Sequence, residues 1–129
     1  MNGGSIEGQD ALAQAVSAYG SGEAPGRKVE KAAVKYLLSL LTKKAPGKSV
    51  EVRIPPYAAV QCVEGTRHTR GTPPNVVETD ARTFVGLALG TTAWAEAVAD
   101  GRVHATGTRA DLTALLPLAE RPPISPDGP

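Results

Sequence analysis

The chain has 129 residues, 41% of them hydrophobic, with 14 lysines and arginines against 13 acids. That length suits one domain with a real core, and so even a charge balance leaves no electrostatic footprint for nucleic acid. A single cysteine excludes an internal disulfide, no apolar run approaches the roughly 20 residues of a bilayer-spanning helix, and residues 1–10 lack the pattern of a secretory signal, so a reducing, cytoplasmic setting is expected.

Residues 1–4 are small and polar, and residues 1–26 are expected to be a flexible or loosely docked segment carrying one short helix. Asp10 is its expected N-cap, with Leu12, Val16 and Tyr19 on one face. A Gly- and Ser-rich connection over residues 20–26 follows. The next helix is the clearest element: Val29, Ala33, Tyr36, Leu37, Leu40 and Leu41 form a stripe, while Lys28, Lys31, Lys35, Ser39 and Thr42 lie opposite. Lys43 and Lys44 complement its C-terminal dipole, and Pro46-Gly47 ends it. From Arg27 to Arg53 there are eight basic residues against two acids. This reads as a solvated lysine face, with weak contact to an anionic membrane surface as the alternative.

Periodicity then changes from helical to two. Val50, Val52 and Ile54 alternate with Glu51 and Arg53 as in a strand buried on one side, and Pro55-Pro56 stops it. A second strand is expected over residues 57–63, joined by a corner wider than a two-residue hairpin turn, whose central residues need φ > 0. Residues 75–79 are rich in β-branched side chains and predict a third strand. Asp80 then caps a helix carrying Phe84, Leu87 and Ala88 and closed by Gly90. In the short helix after it, Trp94, Ala97 and Val98 share a face, with Gly101 as the residue past its end. Residues 102–106 predict a fourth strand with Val103 and Ala105 on one side. Thr108-Arg-Ala-Asp111 reads as a capping box before Leu112, Leu115 and Leu116, predicting a last short helix. Residues 119–129 are expected to be a disordered, Pro-rich tail. Strands on both sides of a helical insertion, without strict βαβ alternation, predict an α+β domain over residues 27–118: a mainly antiparallel sheet covered by helices on one face.

Residues 61–78 concentrate features that a plain core does not need. They hold the only cysteine, Cys62, together with His68, Arg67, Arg70 and the corner Gly71-Thr-Pro-Pro74. That corner, the run Val52-Arg53-Ile-Pro-Pro-Tyr57-Ala-Ala-Val-Gln61-Cys62, and Gly101-Arg-Val103-His-Ala-Thr-Gly107-Thr-Arg-Ala-Asp111-Leu resemble the small bacterial branch of the sterol carrier protein family, from about residue 28 to residue 118. The resemblance implies a sheet and helices around an apolar cavity, used in the wider family to hold sterols, fatty acids or acyl-CoA esters. It implies a non-catalytic carrier of an apolar or amphipathic small molecule, with no cofactor. Its wall would come from Tyr36, Leu37, Leu40, Phe84, Leu87, Trp94, Val98, Leu112 and Leu115; the plain alternative is that these side chains pack on one another at normal density.

Two other readings concern the polar loop. Arg67, His68 and Arg70, with Gln61 and Cys62, could anchor a carboxylate, phosphate or CoA group, since a guanidinium fork donates two parallel hydrogen bonds; alternatively the arginines pair structurally with Glu64 or Glu78. An enzyme would use Cys62 as thiolate with His68 as its base, and the order of elements also resembles the C-terminal domain of mycothiol-dependent maleylpyruvate isomerases. The opposing reading of Cys62 is a buried, inert thiol. His68 and His104 lie far apart without partners at ligand spacing, so no metal is expected.

Overall fold

The computed structural model describes residues 7–65 and 75–122. Helix α1 (Gly8–Gly20) lies against α2 (Arg27–Lys44), followed by strands β1 (Val50–Ile54), β2 (Ala58–Cys62) and β3 (Asn75–Thr79), helices α3 (Ala81–Leu89) and α4 (Trp94–Ala99), and strand β4 (Val103–Thr106). A 3₁₀ turn at Thr113–Leu115 ends the sequence of elements. The fold is α+β, as expected.

The four strands form one mixed, mostly antiparallel sheet in the order β2-β1-β3-β4. β1 pairs antiparallel with β2, and β3 with β4, while the central β1 and β3 run parallel. A parallel pair needs a long connection, and here residues 55–74, including the whole of β2, supply it. Alternation then sets the faces. Val50, Val52, Ile54, Cys62 and Val77 point inward and are at most 1% exposed. On the other face Arg53 reaches Glu51 at 3.1 Å and Glu78 at 3.9 Å, leaving a charged, solvated surface.

The helices cover the inner face. α2 contributes Ala33, Val34, Leu37, Leu38 and Leu41, all at most 2% exposed. The buried stripe is therefore rotated toward Val34 and Leu38, and Val29, Tyr36 and Leu40 move to its half-buried margin. Ala11, Leu12 and Ala15 of α1 join the same core. The two helices approach closely at Gly8, where a Cβ would sit 2.6 Å from Tyr36.

Local differences from the sequence expectation have physical causes. α1 begins at Gly8 rather than after Asp10: the Ala11 N–H donates to the Glu7 carbonyl at 2.8 Å, starting the ladder one turn earlier, and Asp10 sits in the first turn, where a carboxylate favours the helix dipole. β1 and β2 pair Ile54 with Ala58, leaving a three-residue connection that contains the cis Pro55–Pro56 peptide. β2 stops at Cys62, because Val63 turns away at φ 67° and its N–H donates to the Ala45 carbonyl. Asp80 caps α3 as expected, accepting from the Thr83 N–H at 2.8 Å, and Gly90 closes it at φ 80°. Ala105 shares the inner side with Val103 yet is exposed, since the sheet ends at β4.

The helix expected after Thr108 is not formed. Asp111, read as the far end of a capping box, instead accepts from the Thr113 N–H at 2.9 Å and from its hydroxyl, folding a local turn that competes with helix. Leu116 precedes Pro117 and is extended at ψ 146°, so only one 3₁₀ turn fits between.

Candidate binding site

The nine apolar residues expected to form a wall fall into three groups. Leu37, Phe84, Leu87 and Leu112 are 0–3% exposed and lie in the core. Tyr36, Leu40, Trp94 and Leu115 pack half-buried around that core. Val98 is 39% exposed: α4 turns Ala97 inward, and its next residue lies 100° around the helix and faces outward. Tyr36 lines a cleft of about 440 Å³ with Gln9, Asp10, Leu12 and the segment Ala119 to Pro122. Leu115 lines another of about 480 Å³, with Lys44, Val63, Arg109 and Asp111. There the Lys44 ammonium donates to the Leu115 carbonyl at 2.8 Å, tying the end of α2 to the C-terminal segment.

The polar residues do not form one group. Gln61 and Cys62 are neighbours on β2 and therefore face opposite sides of the sheet: Gln61 pairs with Glu51 on the solvated face, and Cys62 pairs with Val50 on the buried one. Burial leaves Cys62 with no exposed surface and pushes its thiol up to about 11. A thiol in that state is mostly protonated at neutral pH and is a poor nucleophile. Arg67, His68, Arg70 and the Gly71–Pro74 corner lie outside the described residues. Among the described residues no three His, Cys, Asp or Glu side chains gather as a metal site.

A larger cleft, about 630 Å³, opens between the C-terminal end of α1 and the outer side of α3. Val16, Tyr19 and Val85 supply its apolar surface; Arg82, Thr92 and Arg102 are among its polar groups. The Tyr19 ring is held in place because its hydroxyl donates to Glu30 Oε2 at 2.5 Å, while the Tyr57 hydroxyl donates to Glu30 Oε1 at 2.7 Å. One carboxylate on α2 thus joins α1 to the corner after β1. Burial, together with the hydrogen bond to Glu30, raises the ionisation of both phenols above the ordinary range.

Arg82 lies over that fixed ring, its Cζ 5.3 Å from the centroid, within cation–π range. Further along the same helix, the turn after α3 folds back so that the Thr91 and Thr92 N–H groups donate to the Gly86 carbonyl at 2.9 and 3.1 Å. Gly86 permits this approach: a Cβ there would lie 2.2 Å from Thr92 Oγ1. Arg102 is engaged by Asp100 at 2.9 Å, and this pair lowers the Asp100 carboxyl and raises the guanidinium. None of these cleft residues was among the expected site residues. The helical pattern places Arg82 on the solvent side of α3, but its position over Tyr19 depends on contact between elements far apart in sequence.

A family model described as a bacterial SCP ortholog matches residues 26–118. No curated protein matches the chain. Among the described residues no helix is long and apolar enough to cross a membrane.

Proposed function

The chain belongs to the bacterial sterol-carrier-protein-like family, and from that premise we propose that it binds or transfers an apolar or amphipathic small molecule without catalysis. The observation that carries this reading is the family match across the helix-covered sheet. The arrangement suits it physically: helices and sheet meet through aliphatic side chains, so an inserted chain would exchange one apolar contact for another and leave water. Each buried methylene of such a ligand would contribute about 0.8 kcal/mol.

In this reading Tyr36, Leu40, Trp94 and Leu115, each half-buried against the core, are the accessible parts of the ligand wall. Leu37, Phe84, Leu87 and Leu112 lie beneath it, and the ligand enters by parting their contacts; Val98 would take part only at the rim. Burial of Cys62 favours a carrier over the thiol-enzyme alternative. The setting proposed for this activity is the cytoplasm, with the lysines of α2 providing weak attraction to anionic membrane surfaces. Trp94 is the only tryptophan, so titration with dodecanoate and dodecanol should give a saturable change in its emission. Absence of any binding, by emission and by calorimetry, would contradict the proposal.

A further inference from the structure

We propose that the cleft between α1 and α3 is an anchoring site for the head of an amphipathic carboxylate, with Arg82 as its principal donor. This rests on the carrier reading and extends it by assigning the ligand a headgroup charge and a place on the protein.

Several polar groups in and around the cleft already have partners. Asp80, the carboxylate among the cleft's lining residues, accepts from the Thr83 N–H at 2.8 Å and from the Thr83 hydroxyl at 3.1 Å. Arg102 is held by Asp100. Glu30 accepts from two phenols. Among the described residues no carboxylate lies within 4.0 Å of Arg82, which sits over the Tyr19 ring. A guanidinium held over an aromatic ring without a carboxylate partner still has N–H donors to offer, and their fork suits a planar carboxylate. Thr92, folded back onto Gly86 of the same helix, adds a hydroxyl to the cleft's lining.

The cleft also has the mixed character that such a ligand requires. Val16, Tyr19 and Val85 give an apolar floor, and Val85 is 2% exposed on the helix that carries Phe84 and Leu87 into the core. A volume of about 630 Å³ is within the range of small-molecule sites. A carboxylate at Arg82 would therefore place the first methylenes of its chain against Val85, beside the helical layer.

The test compares dodecanoate with dodecanol, which has the same chain without the charge, on the full protein and on Arg82→Gln, Arg82→Lys and Arg53→Gln. Arg53 is the control, an exposed arginine on the opposite face of the sheet. Dodecanoate should bind about tenfold or more weakly to Arg82→Gln, less weakly to Arg82→Lys, and within twofold of the original to Arg53→Gln. Dodecanol should bind all four within twofold. In amide spectra, dodecanoate should shift Gly20, Gly86 and Thr92. Unchanged dodecanoate affinity in Arg82→Gln, or equal loss of both probes, would overturn the anchoring site. If both probes still bound, the carrier reading would survive; if neither bound the original protein, both would fall.

Discussion

Tyr19 and Tyr57 donate to the two oxygens of one carboxylate, Glu30, so that a single side chain of α2 holds α1 on one side and the corner leading into β2 on the other. Glu30→Ala should remove both bonds and leave two half-buried phenols without their acceptor. At about 1–3 kcal/mol for such a loss, the melting temperature should fall by several degrees. Tyr57→Phe, which deletes one bond, should cost less. In a double-mutant cycle the two changes should be non-additive, because they share a partner.

Cys62 provides a pH prediction with a definite sign. Its folded thiol is raised from 9.0 to about 11 by burial, so the folded state keeps a proton that the unfolded chain releases first. The associated stabilisation is present below pH 9 and is lost as pH rises through 9 toward 11; a shift of that size corresponds to about 2–3 kcal/mol. Thermal unfolding from pH 8 to 11 should show a steeper decline for the original protein than for Cys62→Ala, and the difference cancels the lysines and tyrosines common to both. Alkylation of the native thiol at neutral pH should be slow and become fast on denaturation.

Asn75 is 2% exposed and joins three segments: its amide donates to the Ser49 carbonyl at 2.8 Å, and its oxygen accepts from the Arg109 N–H at 2.8 Å. Asn75→Ala should leave a buried carbonyl and a partly buried N–H unpaired, costing about 2–4 kcal/mol by denaturant unfolding. Asn75→Asp keeps the acceptor but loses the donor, and places a charge beside the Ser49 carbonyl; it should be no milder than the alanine change.

Gly47 has φ 148°, and a Cβ there would lie 2.2 Å from the Val63 carbonyl carbon and oxygen. Those are backbone atoms that cannot rotate aside. Gly47→Ala should therefore destabilise by more than about 2 kcal/mol, well above an ordinary surface substitution. A control at Gly20, where a Cβ meets nothing within 4 Å, should be near neutral or mildly stabilising.

The parts of this fold that were legible in the sequence are those set by neighbouring residues. Asp80 followed by the Phe84 and Leu87 spacing gave a capped helix, and the β-branched run at residues 75–79 gave a strand with the observed bounds. Long-range pairing was not legible: nothing in β1 or β3 states that they run parallel, because the same alternation suits either direction. Thr108 to Asp111 misled because a Thr-x-x-Asp spacing fits both a capping box and an Asp that turns onto the next threonine, and Pro117 removed the length a helix needed. For the site, the sequence singled out thiol, imidazole and guanidinium groups clustered along one loop. Alternation separates Gln61 from Cys62, and the cleft with an uncommitted guanidinium is assembled from α1, α3 and the turn after it, whose juxtaposition has no local signature.

The central claim is that this member of the family carries an amphipathic small molecule. Native mass spectrometry of the freshly purified protein tests it most directly, followed by solvent extraction and, for stripped protein, exposure to dodecanoate. The account predicts a one-to-one adduct, either retained from the cell or gained on exposure, and identified on release as a lipid-like acid. A clean apo mass with no uptake of fatty acid, acyl-CoA or sterol would contradict it and leave the helical layer as an ordinary packed core.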